Sequence, residues 1–212
     1  MARYPGSIFY PSSIRHEKRP ATWGIVIHWT AGHKAGDLAA LDGPNVDVQF
    51  YVDKAGDVYQ FLDSNSQAWH AFHTANTYCV GIEHEGSGEP WTSAQFNASV
   101  KLAKWLTKTY GIPVAHTNPP ADWHGLYGHR DLEGIDGNDH TDTVPDGTGW
   151  ANYLAAIRSN LITAPYWQWV AWRLGEGGFK SNPQRPENWR AGVPTNYWTR
   201  LRAFLAARKK NT

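Results

Sequence analysis

Residues 23–32 read Trp23-Gly24-Ile25-Val26-Ile27-His28-Trp29-Thr30-Ala31-Gly32. A run of β-branched and aromatic residues is a buried strand, and it breaks at a threonine–glycine turn. The break leaves His28 at the strand's end, so a metal-competent nitrogen stands at the rim of a sheet. A second histidine sits in Gly128-His129-Arg130-Asp131, and Asp139-His140-Thr141-Asp142 follows it. Together these segments outline a mononuclear zinc site of the His, His, Asp type, with one position left for water.

The rest of the chain supplies a frame for that site. β-branched and aromatic content predicts strands at about 23–29, 46–53, 57–62 and 78–84. Lys54-Ala55-Gly56-Asp57 is a tight turn joining the second and third as a hairpin. A short helix is expected over 36–42. Thr92-Ser93-Ala94-Gln95 reads as a capping box, with the threonine as N-cap and the glutamine at N3. Phe96, Val100, Ala103, Leu106 and Tyr110 then keep helical spacing until Gly111. Trp150, Leu154, Ile157 and Leu161 mark another amphipathic helix near 149–161, and residues 1–22 read as an irregular lead-in. The expected fold class is α/β: a central mixed β-sheet with flanking helices, plus a small C-terminal helical segment.

A chain of 212 residues suffices for one full core and a small appendage. No apolar run approaches the roughly 20 residues that span a bilayer, so membrane insertion is not expected. The start, Met1-Ala2-Arg3-Tyr4-Pro5-Gly6, lacks the pattern of a secretory signal. The reading is therefore synthesis in the cytoplasm, with separate help if the protein acts outside. A single cysteine, Cys79, rules out an internal disulfide framework and a Cys-rich zinc knuckle, and it reads as a small buried hydrophobe. The net charge of +1 hides an asymmetry. Residues 163–212 hold nine Lys and Arg against two acids, whereas all ten histidines lie before them.

Zinc catalysis needs three protein ligands and an exchangeable water. His28 and His129 come from distant segments, as expected when strand ends meet. For the third ligand the residues themselves leave Asp139, His140 and Asp142 open. Each group also has a bland reading. A histidine ending an apolar strand often serves as a hydrogen-bonded core residue, and the bland alternative for Glu83 is an edge carboxylate paired with Arg130. His84 falls on the opposite face from Glu83 and reads as structural.

Four pieces in order resemble the type-2 N-acetylmuramoyl-L-alanine amidases, which share the peptidoglycan-recognition-protein fold and include many bacteriophage endolysins. They are Val26-Ile27-His28-Trp29-Thr30-Ala31-Gly32, Ala68-Trp69-His70-Ala71, Val80-Gly81-Ile82-Glu83 and Gly128-His129-Arg130-Asp131-Leu132. The resemblance covers roughly residues 20–160. It implies Zn2+ held by His28, His129 and Asp142, with Glu83 as general base on the attacking water and His140 polarising the substrate carbonyl. The family's third ligand precedes a Pro-Gly closely. Here Asp142-Thr143-Val144-Pro145-Asp146-Gly147 inserts extra residues, which keeps Asp139 as a second choice. Some members use a tyrosine on the hairpin's first strand, where this chain has Val48. Trp29, His70 and Asn76 are the expected substrate contacts.

The implied reaction is zinc-dependent hydrolysis of the amide between N-acetylmuramic acid and L-alanine in bacterial peptidoglycan, as a phage lysin acting on the wall. One rival is a non-catalytic peptidoglycan-binding module of the same fold. Such proteins lose a ligand, and this chain keeps all three. The other rival is a muropeptide-recycling amidase. Residues 1–162 are expected to form the amidase domain and 163–212 a basic, Trp-rich helical segment. Its Trp167, Trp169 and Trp172 read as packing residues or as a wall-binding face. No nucleic-acid motif accompanies the charge, so nucleic acid is not an expected partner.

Overall fold

The computed structural model describes residues 2–159, apart from 15 and 44. The chain divides into two units, 1–157 and 158–212. Nearly all of the second lies outside the described residues, and with it the boundary expected at 163 and the tail helices expected beyond it.

In chain order the elements are β1 (Ser7–Phe9), β2 (Gly24–Ile27), α1 (Lys34–Ala40), β3 (Phe50–Val52), β4 (Val58–Gln60), α2 (Phe72–Tyr78), β5 (Cys79–His84), α3 (Ser93–Tyr110), β6 (Gly125–Gly128), a 3-10 turn (His129–Leu132) and α4 (Trp150–Arg158). The strands form one mixed sheet in the order β1-β4-β3-β5-β2-β6. Only β3 and β4 pair antiparallel, through the expected hairpin; every other pairing is parallel. At the hairpin turn Gly56 has φ +87°, and a Cβ there would sit 2.8 Å from the Ala94 carbonyl oxygen. Both facts demand glycine. The α/β class expected from the sequence is the one found.

Parallel strands in the middle of a sheet are covered on both faces, which is why β2 is buried along its whole length. Ile25, Ile27, Val80, Ile82 and Leu126 line the centre, while α3 buries Val100, Leu102, Ala103 and Leu106. Each fully buried aliphatic side chain of this kind contributes about 1.5–3 kcal/mol.

Thr92 caps α3 as expected, its Oγ1 accepting the Gln95 N–H at 3.1 Å. The reciprocal half of the box is not made. The Gln95 side chain donates instead to the carbonyls of Val52 and Glu85, fastening α3 to two strand ends. Tertiary partners outcompete the local one.

Three expectations need correction. The lead-in contains β1, which pairs parallel with β4. The strand expected over 46–53 is regular only at Phe50–Val52. Helix α2 and strand β6 stand where no element was expected. No described helix is long and apolar enough to cross a membrane.

Candidate metal centre and catalytic groove

Strand register builds the site. Ile27 of β2 lies opposite Ile82 of β5 on one side and Gly128 of β6 on the other. The next residue along each strand is therefore Glu83, His28 or His129, three neighbours at one end of the sheet. Open sheets with parallel strands place their ligand sites at this carboxyl end. His28 is bracketed there by its own backbone: its N–H donates to the Ile82 carbonyl, and His84 Nδ1 lies 2.9 Å from its carbonyl oxygen. His84 is buried on the far side, its Nε2 2.8 Å from Ser99 Oγ, as a structural residue would be.

The third group arrives on a loop. Arg130 N–H donates to the Asp142 carbonyl, Asn138 Nδ2 donates to the His129 carbonyl, and the His140 N–H donates to Asn138 Oδ1. Gly128 lets the loop approach, since a Cβ there would lie 2.1 Å from Thr143 Oγ1. The result is a buried cluster of His28, His129 and Asp142 whose ligand atoms lie within 4.8 Å of one another. His28 Nδ1 is 3.1 Å from His129 Nδ1 and 3.0 Å from Asp142 Oδ2, and His129 Nδ1 is 3.3 Å from Asp142 Oδ1. A tetrahedral site with bonds of about 2.0–2.1 Å has edges of roughly 3.3 Å, so these donors fit a small divalent ion. Asp139 lines the groove at its exposed rim and stays outside the cluster.

Electrostatics support ligation. Burial, offset in part by Asp142, pushes His28 down to about 4, so its imidazole is neutral. Burial opposes ionisation of Asp142, yet the neighbouring imidazoles of His129 and His28 hold its carboxyl below the usual carboxylate range. A neutral imidazole beside a carboxylate is the protonation state a metal requires.

A groove of about 860 Å³ opens over the cluster. Glu83 keeps part of its surface in that groove, while its Oε2 is buried without a hydrogen-bond partner among the described residues. Burial, with the negative charges of Asp142 and Asp37, raises its carboxyl well above the ordinary value. Trp29 and Asn76 also line the groove. Asn76 Oδ1 nevertheless accepts two backbone N–H groups, from His70 and Ala71. His70 reaches the groove wall, but both ring nitrogens face protein atoms. His140 is open to solvent, with 52% of its side chain exposed, and stacks on His129 at 4.1 Å.

Two groove features escaped the sequence reading. Asp37, on α1, accepts from Thr30 Oγ1 at 2.8 Å and from Tyr51 OH at 2.9 Å. It pins the turn after His28 and occupies the tyrosine that lies in register with Glu83. A buried acid in a seven-residue helix leaves no periodic signal. The second feature is strain: Ala31 and Phe72, both lining the groove, have φ of 57° and 61°. Non-glycine residues there cost on the order of 1 kcal/mol each and gather at functional sites.

Comparison with known proteins follows the same stretch. The profile of the N-acetylmuramoyl-L-alanine amidase family matches residues 18–145. The chain is 27% identical over 118 residues to the 1,6-anhydro-N-acetylmuramyl-L-alanine amidase AmpD of Haemophilus influenzae, covering 50% of this chain and 56% of that protein. The chain thus spans a little over half the length of that relative. Among solved structures, Staphylococcus aureus hydrolase AmiA in complex with its ligand shares the fold at a TM-score of 0.60 and 15% identity, covering 74% of this chain and 82% of that one. A selenomethionine derivative of AmpD shares it at a TM-score of 0.55 and 19% identity, covering 73% and 96%.

Proposed function

The chain belongs to the N-acetylmuramoyl-L-alanine amidase family, and from that membership we propose that it hydrolyses the amide joining the lactyl carbonyl of N-acetylmuramic acid to L-alanine in bacterial peptidoglycan. The observation that carries this reading is one groove opening over two imidazoles and a carboxylate at ligand spacing, beside Glu83, whose buried Oε2 has no hydrogen-bond partner among the described residues.

His28, His129 and Asp142 would hold Zn2+, which supplies Lewis acidity, acidifying water and polarising the scissile carbonyl. Glu83 is the general base: its carboxylate takes a proton from the attacking water and returns it to the leaving amine of L-alanine. Its raised proton affinity suits it to both transfers. His140, exposed at the groove rim, donates to the carbonyl oxygen as negative charge builds there. Trp29 contributes an aromatic face to the sugar or peptide. Asn76 and His70 shape the wall behind it.

We further infer a phage lysin acting on the intact wall, with residues 1–162 as the amidase domain. The basic, Trp-rich 163–212 would hold the enzyme on anionic wall polymers. The likeness to the Haemophilus influenzae 1,6-anhydro-muropeptide amidase favours a second reading, hydrolysis of small recycled muropeptides. One experiment separates them. Purified zinc-loaded protein is offered polymeric wall and, separately, soluble 1,6-anhydro-muropeptide, with products identified by mass, before and after a chelator. The lysin reading expects peptides beginning with L-alanine from the polymer, intact glycan strands and loss of activity on chelation. New reducing ends would overturn the amidase assignment itself. Turnover confined to the soluble substrate would move the protein to recycling.

A further inference from the structure

A second imidazole stands behind His28. His28 Nε2 lies 3.0 Å from His70 Nδ1, and His70 Nε2 lies 3.3 Å from the carbonyl oxygen of Cys79. Both rings are buried, at 1% and 7% exposure, so water does not replace either contact.

The carbonyl sets the polarity of the whole chain. An oxygen of that kind only accepts, so His70 Nε2 must bear the hydrogen. A neutral imidazole has one N–H, which leaves His70 Nδ1 as a lone pair. Its neighbour must then donate, so the hydrogen of His28 sits on Nε2. The remaining lone pair of His28 is on Nδ1, the atom that faces His129 Nδ1 at 3.1 Å and Asp142 Oδ2 at 3.0 Å. The opposite tautomers would set the His70 Nε2 lone pair against the Cys79 oxygen and aim an N–H at the ligand cluster. Asp142 still finds a donor without metal, because His129 Nδ1 lies 3.3 Å from its other oxygen and His129 Nε2 has no partner of its own among the described residues.

His70 is seated for this task. Asn76 Oδ1 accepts its backbone N–H at 2.8 Å. Gly81 leaves room for its ring: a Cβ there would lie 2.8 Å from His70 Cγ and 2.9 Å from Nδ1.

We propose that His70 is a positioning residue, relaying the Cys79 carbonyl through two imidazoles so that His28 presents an unprotonated Nδ1 to the metal. The proposal rests on the zinc reading above and removes His70 from the substrate contacts. Outer partners of metal-bound histidines typically contribute 10–100-fold in metal affinity.

The test uses the full chain and two readouts that need no turnover. Zinc affinity is measured by competition with a coloured chelator for wild type, His70→Leu and His70→Asn. Leucine keeps bulk without an acceptor, whereas asparagine restores an oxygen near the place of Nδ1. Nitrogen-15 spectra of the imidazoles in metal-free wild type report the His28 tautomer. We expect His70→Leu to bind zinc 10–100-fold more weakly, His70→Asn to recover part of the loss, and metal-free His28 to carry its hydrogen on Nε2. The proposal is overturned by a hydrogen on His28 Nδ1, by unchanged affinity in His70→Leu, or by an asparagine variant no tighter than the leucine one. Should the leucine variant not fold, the wild-type spectrum decides. A wild type that binds no zinc would instead overturn the metallo-amidase reading, and the metal-free spectrum would still judge His70.

Discussion

At Glu83 burial and two neighbouring acids all work against ionisation, so the folded carboxyl binds its proton more tightly than it does in the unfolded chain. The stabilisation from that proton is present below the ordinary value of 4.5 and is lost as pH rises through the raised folded value. Metal-free Glu83→Gln should therefore match wild type in thermal unfolding at pH 4 and exceed it at pH 7. A variant less stable at pH 7 would show that the carboxylate has a partner the folded protein depends on. With zinc, the same variant should keep its metal while turnover falls about 10²–10⁴-fold, the usual worth of a general base. Metal lost along with activity would make Glu83 a support for the ion and not the base. Phe72 is a second residue with a local anomaly. Its ring, 38% exposed, lies edge-on to His140 at 6.1 Å on a backbone that disfavours side chains. Phe72→Gly should relieve about 1 kcal/mol of backbone cost and raise KM for wall fragments severalfold with kcat little changed. An unaltered KM would leave Phe72 a packing residue.

Among the elements, β5 carries the most consequence. Alternate positions of this one strand send Gly81 toward His70, Glu83 into the groove and His84 to Ser99. Gly81→Ala would press a methyl against His70 Nδ1 and against Val48 Cγ2, 2.7 Å away. Overpacking of this kind costs about 1–3 kcal/mol, and here the ring that yields is the one behind His28. The variant should lose zinc affinity as well as thermal stability. Lower stability with undiminished zinc affinity would break the proposed link between β5 and the centre. The hydrophobic runs of β2 and β5, the Gly56 turn and the Thr92 cap were legible beforehand because each is a local pattern. β6 was not: Gly125-Leu126-Tyr127-Gly128 has poor strand propensity, and only pairing with β2 makes it a strand. β1 owes its conformation in the same way to β4.

Across the molecule, the proposed ion should act as a folding ligand, because His28, His129 and Asp142 are brought together only by the folded chain. Zinc at a hundred times its dissociation constant would add about 2.7 kcal/mol. For a domain of this size that is a rise in Tm of roughly 5–10 °C. A chelator should reverse the gain, and a melting curve indifferent to both additions would remove the metal from this fold. The amino-acid order alone determined that His28 and Glu83 lie near the ends of strands, that a Gly-His pair lies a hundred residues beyond His28, and that carboxylates follow it. Those are features of one segment at a time. Which carboxylate joins the imidazoles, why Glu83, His28 and His129 share one edge, and that His70 turns inward toward a carbonyl were decided by tertiary structure. Parallel register and close approach at Gly81 and Gly128 are relations between distant segments, and their energies exist only once those segments are packed together.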